Sequence, residues 1–161
     1  MIILSIGTNI GNRKLNIKNA ITALGQIGKI ITISPIYTSE PWGFESKNGF
    51  YNIALILESN LPPIELLNAT QQIERNLGRT TKTTTTYTDR IIDIDIIDYN
   101  NQIIDTQALT LPHKLMHKRN FVLYPLSDIA PDWQHPILKL SSTELKKISE
   151  DTSVIHILPQ Q

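Results

Sequence analysis

The chain contains no cysteine. Disulfides, thiolate metal centres and cysteine nucleophiles are therefore excluded, and the composition suits a reducing compartment. Net charge is missing as well, since 15 Lys and Arg balance 15 Asp and Glu. That leaves no basic field for gripping nucleic acid, although a small anion needs only a local cluster of cations. No apolar run approaches the roughly 20 residues that cross a bilayer. The opening Met1-Ile2-Ile3-Leu4-Ser5-Ile6 also lacks the basic head and long apolar run of a signal peptide. These absences predict a cytoplasmic protein with no nucleic-acid or membrane partner. No linker or internal repeat divides the 161 residues, so one domain over 1–161 is expected.

Isoleucine, by contrast, is abundant, and β-branched side chains suit buried strands. The run from Ile2 to Ile6 predicts a strand that turns at Gly7-Thr8-Asn9-Ile10-Gly11. Asn12 is placed to cap a helix over 13–27, with Leu15, Ala20, Leu24 and Ile27 on its apolar face. A strand over 29–37 and a loop over 38–49 follow. Phe50 to Leu57 reads as a strand with Phe50, Asn52, Ala54 and Ile56 on one face. Pro62 and Pro63 predict the start of a helix that Gly78 ends, and 90–99 reads as a further strand. Beyond it lie a turn at Asn100-Asn101, a strand near Ile103, a helical stretch near His117 and a strand or turn at 121–125. A helix over 142–150 comes last, and Trp133 is expected to pack in the core. The order strand, helix, strand, strand, helix, strand predicts an α+β sandwich of the ferredoxin-like kind, with helices packed on a mainly antiparallel sheet.

Asp93-Ile94-Asp95 is the most informative segment. Two residues apart on a strand, both carboxylates project from one face, and Ile92, Ile94 and Ile96 turn to the other. Two such carboxylates repel unless a cation lies between them, and hard oxygen ligands suit magnesium completed by phosphate oxygens. An ordinary solvated acidic face would carry the same pattern. Arg90 places a fixed cation at the mouth of the strand, while Asp98 falls out of the alternation and reads as a surface residue near the turn.

The segment Arg90-Ile91-Ile92-Asp93-Ile94-Asp95-Ile96 resembles the Arg-x-x-Asp-x-Asp-Ile signature of the dihydropterin pyrophosphokinases. Other matches stand in the right order. They are Gly7-Thr8-Asn9, the loop residues Ser34, Tyr37, Glu40, Pro41 and Gly43, Phe50-Tyr51-Asn52, and Ile73-Glu74 with Gly78-Arg79. Leu111-Pro112-His113, the run from Arg119 to Leu126 and Ala130-Pro131 complete the series, so the resemblance spans about residues 2–131.

This resemblance implies pyrophosphoryl transfer from ATP to 6-hydroxymethyl-7,8-dihydropterin, with AMP as the other product, by a monomeric enzyme of folate synthesis. Asp93 and Asp95 are then the ligands of two magnesium ions. Arg79, Lys82 and Arg90 join them as catalytic groups. Gln71, Glu74, Arg90, Ile96, Thr110, His113 and Arg119 fall at ATP-binding positions. Ser39, Glu40, Trp42, Phe50, Asn52, Tyr87 and Phe121 fall at pterin-binding positions, with Phe50 and Phe121 sandwiching the flat ring and Asn52 reading its edge. Outside the family context, the arginines are ordinary surface ion pairs and the aromatics ordinary core residues.

One segment departs from the family. The loop before the acidic strand is rich in arginine in many members, but here it runs Arg79-Thr80-Thr81-Lys82-Thr83-Thr84-Thr85-Thr86-Tyr87-Thr88-Asp89. Tyr87 stands at a common tryptophan position and Thr81 at a common arginine position. The expected role is a lid over ATP. Two rival readings use the same acidic pair: a metal-dependent nuclease or nucleotidyltransferase, and a ligand-binding domain without catalysis. The balanced charge speaks against the first, and retention of both aspartates with Arg90 against the second.

Overall fold

In the computed structural model, residues 1–79 and 88–160 are described. The strand β1 (Ile2–Thr8) is apolar at nearly every position because it lies inside a sheet covered on both faces. Following it are α1 (Arg13–Leu24), β2 (Lys29–Ile33), β3 (Tyr37–Ser39), β4 (Phe50–Glu58), α2 (Pro63–Asn76) and β5 (Asp93–Tyr99). A small ribbon of β6 (Ile104–Asp105) and β7 (Thr110–Leu111) comes next, then a 3-10 turn at Met116–Lys118 and α3 (Asn120–Ile129). The chain continues through α4 (Ser142–Ile148) to β8 (Ile155–Ile157). The main sheet runs β5-β1-β4-β3-β8 with β2 also on β4, and every pairing is antiparallel. It is the expected ferredoxin-like α+β sandwich.

Two cores sit back to back on this sheet. On one face α1 and α2 cover Leu4, Ile6, Ile53, Leu55, Ile94 and Ile96. On the other, α3 and α4 cover Ile3, Ala54, Ile56 and Ile97, together with Trp133 as expected. Each such side chain contributes about 1.5–3 kcal/mol by leaving water. The second helical layer is shorter than the sheet, so the end of that face near Gly7, Asn52 and Asp93 is left to the site.

Several elements differ from the sequence reading. The strand over 29–37 is broken at Ser34-Pro35. Ser34 still exchanges hydrogen bonds with Ala54, but Pro35 has no N–H to continue the ladder. Helix α1 stops at Leu24, and Ile17 takes the buried position beside Ala20 and Leu24 while Leu15 is exposed. The 121–125 segment is helical. Its Phe-Val-Leu-Tyr run favours a strand locally, yet Val122, Leu123 and Leu126 meet the core at helical spacing. Helix α4 stops at Ile148 after starting at a capping box of Ser141 and Glu144. β8 had no anticipated counterpart.

Asp98 is the clearest correction. Ile3 pairs with Asp98 and Leu4 with Ile96, so Ile97 is the extra residue of a β-bulge. The bulge turns both Ile97 and Asp98 toward the α3 face, and Asp98 is fully buried there instead of lying on the surface. Burial raises its pKa against the opposing pull of the Asn101 N–H. Asn100 and Asn101 both have positive φ (50° and 59°) and form the tight turn that follows.

Among the described residues, no helix is long and apolar enough to cross a membrane. His135 yields a test of the second core. It is 4% exposed, and its Nδ1 accepts from the amides of Ile137 (3.2 Å) and Leu138 (3.0 Å), which requires the neutral ring. Burial, then the neighbouring His117, lowers its pKa to about 4. Its contribution to stability is therefore present above the ordinary histidine value and lost as pH falls toward 4. Urea unfolding should show a loss of about 3 kcal/mol over that window, reduced in His135→Gln.

Candidate active site

The acidic strand owes its setting to small neighbours. Asp93 pairs across β1 with Gly7 and Asp95 with Ser5. Behind them on β4 stand Asn52 and Ala54. A Cβ on Gly7 would lie 3.2 Å from the Asn52 Oδ1 and 3.6 Å from the Phe50 ring, so any larger residue there fills the space in front of the carboxylates. That space is a pocket shared by Asp93, Asp95, Arg90, Asn52, Phe50 and Phe121.

Its charged wall begins at the end of α2. Gly78 has φ +110°, its N–H reaches the Arg75 carbonyl (3.0 Å), and the Arg79 N–H reaches the Glu74 carbonyl (3.0 Å). This Schellman ending turns the chain so that Arg79 lies back along β5. Its Nη1 meets Glu74 Oε2 at 2.9 Å, Asp93 Oδ1 at 2.5 Å and the Ile92 carbonyl at 3.2 Å. Glu74 is 2% exposed, and its Oε2 also accepts from the Ile94 N–H at 2.9 Å. On β5, at the end of the sheet order, the carboxylate thus satisfies a strand amide. Arg90 Nη1 reaches the other oxygen of Asp93 at 3.1 Å.

Arg90 is fixed from its backbone. Asn9, 2% exposed in the turn after β1, accepts from the Arg90 N–H (2.7 Å) and donates its own N–H to the Arg90 carbonyl (3.1 Å). Its Nδ2 also donates to Asp89 (2.8 Å) and to the Asn48 carbonyl (3.2 Å). Hydrogen bonds from Ser46, Asn9 and Asn48 hold the Asp89 carboxyl below the ordinary value. The Gly-Thr-Asn turn thus joins the 40–49 loop to the arginine strand entry.

The opposite wall is aromatic. Phe44 meets Phe50 edge to face at 6.2 Å. The Arg119 guanidinium lies 4.7 Å from the Trp42 ring and 5.6 Å from the Phe121 ring. Asn52 Nδ2 donates to the Ser39 hydroxyl at 2.7 Å, so one of its donors is already committed.

Ser39, Glu40, Trp42, Phe50, Asn52, Phe121, Arg90, Arg119, Asp93 and Asp95 therefore line one pocket. Arg119 lies in its aromatic wall, beside Trp42 and Phe121. Gln71, Glu74, Ile96, Thr110 and His113 are not on its lining. Glu74 is spent beneath β5, and the Ile96 side chain is in the α1/α2 core. His113 gives its N–H to the Ile97 carbonyl, and its Nδ1 accepts from Leu115. Arg79 reaches the pocket through Asp93. Lys82 and Tyr87 lie outside the described residues. Sequence reasoning missed Ser5, Gly7 and Phe44 on the lining, and only the small size of the first two was a usable signal.

Comparison with known proteins agrees with this geometry. The sequence model of the 7,8-dihydro-6-hydroxymethylpterin-pyrophosphokinase (HPPK) family matches residues 3–131. A 2-amino-4-hydroxy-6-hydroxymethyldihydropteridine pyrophosphokinase from Porphyromonas gingivalis is 44% identical over 139 residues, which cover 84% of this chain and 94% of that one. Its namesake from Aquifex aeolicus is 38% identical, covering 89% and 88%. A Plasmodium falciparum HPPK-DHPS crystal structure aligns with TM-score 0.73 at 16% identity, over 91% of this chain but only 43% of the larger one. Fold and relatives define the class: an ATP-dependent pyrophosphokinase. Within it, the chain belongs to the 7,8-dihydro-6-hydroxymethylpterin-pyrophosphokinase family.

Glu74 is the testable hub. Removing one partner of a buried ion pair costs about 3–5 kcal/mol. Glu74→Ala should therefore lose about 3 kcal/mol in urea unfolding, and Glu74→Gln, which keeps an acceptor for the Ile94 N–H, should lose less. A loss under about 1 kcal/mol in the alanine variant would show that β5 is anchored elsewhere.

Proposed function

We propose that the chain transfers the terminal pyrophosphoryl group of ATP to 6-hydroxymethyl-7,8-dihydropterin in folate synthesis, with residues 1–161 acting as one catalytic domain. The observation that carries this reading is the single pocket that joins an acidic pair flanked by arginines to an aromatic wall with a reading amide. The flat ring fits between Phe50 and Phe121. Asn52, steadied by Ser39, presents its carbonyl oxygen to the ring edge. This orients the hydroxymethyl group toward Asp93 and Asp95.

The donors fit magnesium. Asp93 and Asp95 offer hard oxygens from one strand face, and Arg79 and Arg90 both lie against the Asp93 carboxylate. Among the described residues, no group of three or more His, Asp or Glu could bind a metal by itself. Asp93 and Asp95 would hold the two magnesium ions of the reaction together with oxygens of the triphosphate. Bound there, magnesium would neutralise charge on the transferred group and lower the pKa of the attacking hydroxyl. The hydroxyl oxygen loses its proton to solvent and forms a bond to the β-phosphorus as the bridge to the α-phosphate breaks, and AMP leaves with that bridging oxygen. Arg79 and Arg90 stand close enough to Asp93 to meet phosphate oxygens beside it. Phe44, Trp42 and Phe121 exclude water from one side of the transfer.

Purified protein with ATP, magnesium and the pterin should yield AMP and pterin diphosphate in equal amounts. ADP in place of AMP would overturn attack at the β-phosphorus. Asp93→Asn and Asp95→Asn should each lower kcat by about a hundredfold or more, the scale of removing one transition-state stabiliser. Unchanged turnover in either would remove that residue from the proposed metal site.

A further inference from the structure

The segment beyond residue 131, outside the family match, meets elements of the pocket wall at β3, where Ser39 pairs with Ile155, and at the start of α3. Helix α3 begins at Arg119, whose side chain makes no capping hydrogen bond, and its first turn contains no acidic residue. Helix starts lacking both leave amide donors unsatisfied and the positive end of the dipole uncompensated. Asp151, which follows α4, supplies both. Its Oδ2 accepts from the Asn120 N–H at 2.8 Å, and its Oδ1 accepts from the Ser153 N–H at 2.9 Å and hydroxyl at 2.5 Å. The Asn120 side chain returns a bond to the Asp151 carbonyl at 2.9 Å.

The two residues flanking Asn120 both line the pocket: Arg119, between Trp42 and Phe121, and Phe121 itself. The rest of α3 is held by other means. Val122, Leu123 and Leu126 are in the core, and Asp128 accepts from the Tyr37 hydroxyl. Later turns meet other residues of the tail, Ser142 at Ser127 and Lys146 at Tyr124, whereas the first turn is held by Asp151.

We infer that Asp151 is a positioning residue that caps α3 from outside the helix and so fixes Phe121 and Arg119 against the bound ring. It touches neither substrate nor the reacting atoms. This inference rests on the pterin reading of the pocket.

The test is pterin binding and turnover in full-length variants. Asp151→Ala should weaken pterin binding about fivefold, the scale of a lost cap, with kcat at saturation within about twofold of the parent. Asp151→Asn, which retains an acceptor oxygen for the Asn120 amide, should recover most of the affinity. Phe121→Ala should cost less in the Asp151→Ala background than alone, because the ring is already loosened. Amide exchange should quicken at Asn120 and Phe121 while β1 and β4 stay protected. Normal pterin affinity in Asp151→Ala beside a weakened Phe121→Ala would overturn the positioning role. So would full additivity of the two substitutions, or a loss in Asp151→Ala that follows only the folded fraction. Unchanged affinity in Phe121→Ala itself would instead overturn the pocket reading on which the inference rests.

Discussion

The buried carboxylate of Glu74 joins three things that the site cannot do without. It satisfies the amide of Ile94 on β5, it receives Arg79 at the end of α2, and through Arg79 it is tied to Asp93. A charge at 2% exposure is costly unless it is paired and hydrogen-bonded, and Glu74 is both. Because the strand and the helix end share this anchor, the acidic pair and its arginine cannot drift apart independently. Asn9 does the equivalent for Arg90 by gripping its backbone on both sides. Two polar residues that never reach the pocket thereby set the spacing of the charges that do.

The location of the pocket follows from how the sheet is covered. Apolar pressure places α1 and α2 on one face over its whole length, but α3 and α4 cover only part of the other. At the uncovered end, Gly7 and Ser5 keep the floor low and the 40–49 loop supplies Trp42 and Phe44 as a rim. The bulge at Ile97 marks the boundary between these regions. Before it, strand alternation points Asp93 and Asp95 at the site. After it, the same face turns apolar at Ile97 and buries Asp98 beneath the second core. One inserted residue thus separates carboxylates available for chemistry from one that is purely internal.

Much of this was legible in the sequence where the cause is local. The period of two fixed the faces of Asp93, Asp95 and their isoleucines, and Asn12, Pro63 and Gly78 marked helix ends through capping and backbone rules. Motif order brought Phe50, Asn52, Trp42 and Phe121 together before any coordinates did. What could not be read depends on long-range partners. The Asp98 burial needs a bulge that appears only when β5 pairs with β1. The helical state of 121–125 needs a core for Val122 and Leu126, against a strand-favouring local run. The Asp151 cap links residues 31 apart across α4 and leaves no periodic trace. Motif matching reports that Glu74 belongs to a pattern, without saying that its carboxylate meets the Ile94 amide and Arg79.

The ion pairs at Asp93 also bear on how a neutral chain can manage a highly charged substrate. With no net excess of positive charge to draw in ATP, attraction falls to local cations, among them Arg79 and Arg90, which are engaged with Asp93. Guanidinium forks bind phosphate oxygens in the same bidentate fashion as carboxylate oxygens, so Arg79 and Arg90 can exchange one for the other at little net cost. On the proposed reading, Asp93 and Asp95 would hold the metal ions, and Arg79 and Arg90 would meet phosphate oxygens beside them. The Asp93 carboxylate, at 16% accessibility, is paired with both arginines in the meantime. Repulsion between Asp93 and Asp95, which would destabilise an empty strand, is in this way offset by the protein's own arginines until the substrate brings its cations.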